Sequence, residues 1–311
     1  MIDISDINQS PFILGGAAFS GSGGGYGFGN IENNVIENIV RHYIDHGGRG
    51  IDLAPIYGFS QAEKNIGALP KEIKDKLFLT SKSGVTWHSS KRVNMTNSSD
   101  VTKKMLEQSL RDLRVDSIDC YFIHWPDKMV DIRRPMEVLS RKKEKGDIRY
   151  IGLCNTTKED YLLASEVDSI SVIQNEHNLF NESTSKGLEE LIIQNKIPVW
   201  GWGTLDKGII SGRVTIERKF EKDDCRSWAP WWKKSNKNQK VEVMRKVFEK
   251  LPNGAKDALS LALSHGKYSS FNLTPIVGVK SVTDLESLIS AKKNILSQKL
   301  YQEIYDEFFS E

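Results

Sequence analysis

Gly50-Ile51-Asp52-Leu53-Ala54-Pro55-Ile56-Tyr57-Gly58 begins as a short apolar run and ends in a turn, and it carries a carboxylate and a phenol. Two further stretches share this construction. Phe78-Leu79-Thr80-Ser81-Lys82 ends on a lysine, and Tyr121-Phe122-Ile123-His124-Trp125-Pro126 carries a histidine just after its apolar part. An apolar strand has no use for an ionisable group unless that group faces a site, because burying an unpartnered charge is costly. Asp52, Tyr57, Lys82 and His124 therefore read as one constellation of carboxylate, phenol, ammonium and imidazole.

Outward from these stretches, short apolar runs alternate with segments of helical period along the whole chain. Eight runs have strand character: 12–15, 50–54, 77–81, 119–124, 149–153, 171–174, 198–202 and 275–278. Helical period appears in 32–45, 61–68, 101–113, 135–145, 158–163, 184–194 and 255–264. Asp100 suits a helix N-cap and Gly146 a helix stop. Eight βα alternations with near-continuously apolar strands predict an α/β protein, a single (β/α)8 TIM barrel over residues 1–311 with long loops and an added helix at 298–309. A doubly wound open sheet is the runner-up. Against it, no G-x-G-x-x-G follows the first strand and opens a helix. The Gly-rich stretch 21–29 reads as a mobile loop. In a barrel, chemistry gathers at the C-terminal strand ends. Asp52, Lys82, His124, Asn155 and Gln174 all fall there, on strands two to six.

Composition narrows the function classes. The chain has 311 residues, 27% charged, with a formal net charge of +2. That balance implies no strong field for nucleic acid or a membrane surface. No signal peptide is evident, and no apolar stretch approaches the roughly 20 residues that span a bilayer. Cys120, Cys154 and Cys225 are an odd number without CxxC spacing, and the six histidines show no ligand spacing. The expectation is a reduced, cytoplasmic protein without disulfides or a metal. Whether it works as a monomer or a homo-oligomer is left open.

The constellation suits one kind of chemistry. A tyrosine titrates near about 10 and is a weak acid at neutral pH. A nearby ammonium stabilises its phenolate, and a carboxylate keeps that ammonium charged and directed. An imidazole beside the phenol can orient a carbonyl oxygen. Together they protonate an oxygen that gains negative charge, as in carbonyl reduction, where a cofactor must bring the hydride.

These stretches resemble the aldo-keto reductase family. Residues 50–58 are similar to its Asp-Thr-Ala-x-x-Tyr-Gly segment, with Leu53 for Thr. Leu79-Thr80-Ser81-Lys82 is similar to its strand-end lysine, and Ile123-His124-Trp125-Pro126-Asp127 to its His-Trp-Pro-Asp run. The resemblance implies Tyr57 as general acid, Lys82 and Asp52 as the pair that lowers its pKa, and His124 as the group that positions the carbonyl. It also implies NADPH, with NADH not excluded, and a small-molecule carbonyl substrate. Leu14-Gly15-Gly16-Ala17-Ala18-Phe19 resembles the turn below the nicotinamide. Gly152-Leu153-Cys154-Asn155 resembles Gly-x-Ser-Asn with Cys154 for Ser, and 174–179 resembles Gln-x-x-Tyr-Asn-Leu. Asn155 and Gln174 would then bind the carboxamide, and Trp202 would stack where tyrosine is usual. The segment 198–213, with Gly203, Leu205, Gly208 and Arg213, resembles the pyrophosphate loop. The segment 275–286, with Gly278, Lys280 and Asp284, resembles the adenine end. There Asp284 takes the place of a frequent arginine. A carboxylate opposes a 2′-phosphate and suits a ribose hydroxyl.

Substrate choice belongs to the loops 84–99, 125–134 and 214–238. The third holds Arg226-Ser227-Trp228-Ala229-Pro230-Trp231-Trp232-Lys233-Lys234, aromatic and basic together, without clear helical period. Trp87, Trp125, Trp228 and Trp231 are the expected substrate contacts, and they suit a polar ligand such as a sugar or nucleotide sugar. A lid or an oligomer contact is the plainer alternative for this loop. A cofactor-binding redox sensor with slow turnover is the alternative function.

Overall fold

The computed structural model describes residues 2–21, 26–182 and 187–310. Its strands are β1 Ile13–Gly15, β2 Gly50–Asp52, β3 Phe78–Ser83, β4 Val85–Trp87, β5 Val93–Met95, β6 Ile118–Ile123, β7 Ile148–Cys154, β8 Val172–Glu176, β9 Val199–Trp202 and β10 Leu273–Val277. Eight of them close a parallel barrel in the order β1-β2-β3-β6-β7-β8-β9-β10, and β10 bonds back to β1. Each of the eight apolar runs read from the sequence becomes a barrel strand. Closure excludes the doubly wound sheet. Helices cover the outer face and side chains fill the interior, so the strands are buried almost end to end.

Register and alternation place the ionisable groups. Gly15 pairs with Asp52, Lys82 with Phe122, Cys154 with Gln174, and Glu176 with Trp202. Successive side chains point to opposite faces. Thr80 and Lys82 therefore turn inward toward Asp52, while Ser81 turns outward to Glu63 of helix Gln61–Gly67. The lower barrel is filled by Ile7, Ile13, Phe78, Phe122, Trp200 and Ile276. Helix Ile4–Asn8 packs there, where the Trp200 indole N–H donates to Asn8 Oδ1 at 2.9 Å. With the bottom packed, the functional groups sit at the open, C-terminal end.

Several details depart from the sequence reading. Helix Ser99–Leu113 starts earlier than expected, and its N-cap is Ser98, which accepts from the Val101 N–H. Asp100 lies in its first turn instead. Gly146 does follow helix Arg133–Glu144, at φ +81°. Residues 184–186 of the expected helix 184–194 lie outside the described residues, and the rest is helix Glu189–Asn195. The loop 84–99 carries the β4–β5 hairpin. The Trp-rich segment folds into two short turns, Cys225–Ser227 and Pro230–Lys233, and helix Lys237–Lys250 follows.

The Gly-rich stretch also differs. Residues 22–25 lie outside the described residues, and residues 26–29 are pinned rather than loose. The Cys225 N–H donates to Gly27 O at 2.9 Å, and the Lys280 ammonium donates to Phe28 O at 2.7 Å. The last helix, Gln298–Phe308, packs Tyr301 and Ile304 against the barrel's outer layer. Tyr301 meets His265 Nδ1 at 2.9 Å, and His265 lies 3.2 Å from Glu182. No helix among the described residues is long and apolar enough to cross a membrane.

Candidate active site

The four residues read from the sequence meet at the barrel mouth. Lys82, fully buried, donates to both oxygens of Asp52 at 2.7 and 2.8 Å, to Leu53 O at 2.9 Å and to the Tyr57 hydroxyl at 3.2 Å. The Tyr57 and His124 rings meet edge to face with centroids 6.1 Å apart. Tyr57 follows β2 in a turn where its own N–H donates to Ala54 O at 3.0 Å. That turn carries the phenol over the end of β3. Lys82 takes up its donors on acceptors, so the Tyr57 O–H proton remains available for another oxygen.

Electrostatics sharpen the roles. Burial opposes the Lys82 ammonium, but Asp52 and then Tyr57 outweigh it and hold its pKa above the ordinary value. Burial pushes the Tyr57 phenol above its ordinary value, and the Lys82 charge pulls the other way. The lysine thus acts in the direction read from the sequence, while the Asp52 carboxylate acts against it. Desolvation is the larger effect, and Lys82 limits the rise it causes. Burial, followed by the Lys82 charge, holds the His124 imidazole well below 6.5. His124 is therefore neutral, with one ring N–H to donate.

Asn155, Gln174 and Trp202 stand together beside this quartet. Gln174 Nε2 donates to Asp52 Oδ1 at 2.8 Å, so its oxygen turns the other way and, among the described residues, takes only the weak Cys154 thiol donor at 3.4 Å. Asn155 adopts φ +55°, a left-handed backbone that asparagine tolerates. Its amide donates to His124 O at 3.0 Å and to Cys154 Sγ at 3.1 Å, and its oxygen accepts from the Trp202 indole N–H at 3.1 Å. A well-placed amide oxygen with only a thiol donor, beside a half-buried indole face, fits the carboxamide and ring of a nicotinamide.

The other expected cofactor residues lie on the loops after β1, β9 and β10. Gly16 and Ala17 form a short turn after β1, where a Cβ on Gly16 would come within 2.6 Å of Asp52 O. Gly203 and Gly208 both adopt positive φ in the loop after β9, and half-buried Leu205 packs below them. Gly278 follows β10 against Gly15 and Ala18. At the far end, Arg213 donates to Asp284 Oδ1 at 2.5 Å, and the Lys280 N–H donates to its Oδ2 at 3.0 Å. Burial opposes the Asp284 carboxylate, but these donors outweigh it and lower its pKa. The carboxylate that seemed to oppose a phosphate is thus matched by a guanidinium.

The expected substrate tryptophans divide. Trp87 and Trp125 pack with Tyr26, Tyr57 and Phe59 around Ala54, Ile56 and Val85. Trp228 reaches the same wall through Tyr26, with ring centroids 6.0 Å apart. Trp231 belongs instead to the outer cluster of the last helices. Its ring lies under Lys207 Nζ at 5.7 Å, and Lys207 also covers Trp202 at 5.6 Å.

Two groups escaped the sequence reading. Lys207, in the turn after β9, pairs with Glu176 at the end of β8 at 2.5 Å, and no sequence spacing links a strand end to a residue in the following turn. Glu63, fully buried, accepts the Ser81 hydroxyl at 2.6 Å behind β3. The inward–outward alternation of β3 is the signal that would have found it, since Ser81 needs an outward partner.

Comparison with known proteins agrees with this geometry. The aldo/keto reductase family model matches residues 11–306. Aldo-keto reductase YhdN of Bacillus subtilis is 32% identical over 235 residues, covering 75% of this chain and 68% of that protein. The NADP(+) aldo-keto reductase yakc of Schizosaccharomyces pombe is 30% identical over 288 residues, covering 89% of this chain and 83% of that protein. Among solved structures, a glycerol dehydrogenase of Gluconobacter oxydans superimposes with a TM-score of 0.79 at 25% identity, covering 96% of this chain and 90% of that one. With its barrel, its strand-end quartet and a match spanning nearly its whole length, this chain belongs to the aldo/keto reductase family.

Proposed function

We propose that the protein reduces an aldehyde or ketone to the alcohol, with NADPH as reductant and Tyr57 as proton donor. One observation carries the reading. The buried Lys82 ammonium is bonded at once to Asp52 at 2.7 Å and to the Tyr57 hydroxyl at 3.2 Å, beside a neutral imidazole.

A dinucleotide held there would supply the hydride for the carbonyl carbon. Gln174 and Asn155 would hold its carboxamide, Trp202 its ring, and Arg213 and Lys280 its adenine end. The protein manages the oxygen. Tyr57 gives its O–H proton to the carbonyl oxygen as negative charge builds there. Lys82 stabilises the phenolate left behind, and Asp52 keeps Lys82 charged. His124 donates its ring N–H to the same oxygen and fixes the carbonyl's direction.

NADPH is supported by the relative named for NADP(+) and by the cationic pair Arg213 and Lys280. The engagement of Arg213 by Asp284 supports NADH as the alternative reductant. The wall of Tyr26, Phe59, Trp87, Trp125 and Trp228 supports a polyhydroxylated substrate, whose C–H faces stack on aromatic rings. The relative named glycerol dehydrogenase points the same way. The test is a panel of aldehydes, ketones, sugars and nucleotide sugars with NADPH and with NADH. Oxidation of the nucleotide by at least one polyol-type carbonyl is expected. No oxidation with any member would overturn the proposal.

A further inference from the structure

We propose that Gln174 is a positioning residue of the proton donor, holding the Asp52 carboxylate through its amide nitrogen while its oxygen faces the carboxamide subsite. This goes beyond a ligand role, and its kinetic arm rests on the function proposed above.

The bond spans the barrel from β8 to β2, joining residues 122 apart in sequence at 2.8 Å. Both side chains are buried, Gln174 at 1% exposure and Asp52 at 2%. A carboxylate only accepts, so Asp52 dictates which end of the Gln174 amide turns toward it. The amide oxygen is thereby aimed the other way, toward Cys154. One side chain then serves two sites with opposite ends.

The charge on Asp52 Oδ1 is shared among Lys82 at 2.7 Å, Gln174 at 2.8 Å and the Thr80 hydroxyl at 3.3 Å. An added donor on the carboxylate weakens its hold on Lys82 and leaves more of the ammonium's field on Tyr57. An N–H donated to Gln174 Oε1 polarises the amide and strengthens its bond to Asp52, since linked hydrogen bonds reinforce one another. Filling the carboxamide subsite thus tightens the network around the acid. Cys154 permits this because a thiol is a weak donor and yields Oε1 readily.

The first measurement uses the ligand-free protein with nitrogen-labelled glutamine. We expect one side-chain amide pair with slow hydrogen exchange in the wild-type chain, lost in Asp52→Asn. If every glutamine side chain exchanges at a surface rate, or if Asp52→Asn moves none of them, the proposal is overturned. This arm needs no turnover and no Gln174 variant. The second uses Gln174→Met with saturating NADPH and a carbonyl substrate. We expect kcat to fall about tenfold to a hundredfold, the scale of one hydrogen bond to a charged group, with a shifted pH profile. A rise in the NADPH dissociation constant with kcat and pH profile unchanged would reduce Gln174 to a ligand. Failure of the wild-type chain to bind either dinucleotide would instead count against the proposed function.

Discussion

The Lys82 ammonium donates to the Tyr57 hydroxyl across 3.2 Å while lying 4.9 Å from the centre of the same ring. One cation thus touches the phenol at the oxygen and reaches its π-face. The bond to the oxygen matters for chemistry, because it stabilises the phenolate formed when the proton leaves.

Lys82→Met should therefore reduce kcat/KM by about 100-fold or more, the range for a positioned acid–base group. It also leaves Asp52 as a buried, unpaired charge, which costs roughly 3–5 kcal/mol. The double variant Asp52→Asn/Lys82→Met should regain much of the melting temperature and none of the activity. Thermal denaturation beside steady-state kinetics separates the two losses.

His124 should add no acidic limb to the pH profile. Burial and Lys82 keep its imidazole neutral well below 6.5. The wild-type kcat/KM should not fall on its account between pH 8 and 6. A tenfold decline centred between 6 and 7 that disappears in His124→Gln would contradict the neutral assignment.

Glu63 predicts a stability trend of defined sign. Burial raises its pKa from 4.5 to about 7, against the Ser81 and Ser109 hydroxyls, with Asp112 adding to the rise and Lys82 opposing it. The folded state thus holds the proton more tightly than the unfolded state. The associated stability is full below about pH 4.5 and is lost as pH rises through about 7. The difference amounts to roughly 3 kcal/mol at most. Glu63→Gln mimics the protonated side chain and keeps the acceptor for Ser81. Its melting temperature should fall less than that of the wild type between pH 5 and 8.

At the adenine end, Asp284→Asn should keep the acceptor for the Lys280 N–H and release the Arg213 guanidinium. The ratio of kcat/KM for NADPH over NADH should rise about tenfold, the lower end for a charge-assisted contact. An unchanged ratio would mean that Arg213 does not meet the 2′-phosphate.

Much of this was legible because strand-end chemistry has a simple signature. Asp52, Lys82 and His124 interrupt apolar runs, and the βα alternation then places them on one rim. Strand positions survived translation into structure because burial on both faces leaves an unmistakable apolar run. Helix Lys237–Lys250 was missed because only Met244 and Val247 are buried on it, which leaves a narrow apolar stripe. The direction of the Lys82 effect on Tyr57 was legible, because sequence gives the charged neighbour, whereas the depth of burial that opposes it was not. Gln174 and Asp52 lie on strands far apart in sequence, so only closure of the barrel brings them together, and Lys207 reaches Glu176 through the pairing of β8 with β9 and the turn that follows β9. Trp231 could not be separated from Trp228 by composition, since the turn Pro230–Lys233 sends them to different clusters.

The most direct test of the central claim is Tyr57→Phe, measured by tryptophan fluorescence titration with NADPH and by turnover of an active carbonyl substrate. The account predicts a dissociation constant within about threefold of wild type, because the phenol touches no expected dinucleotide group, and kcat reduced by at least about 100-fold. Turnover retained within tenfold of wild type would contradict Tyr57 as the proton donor.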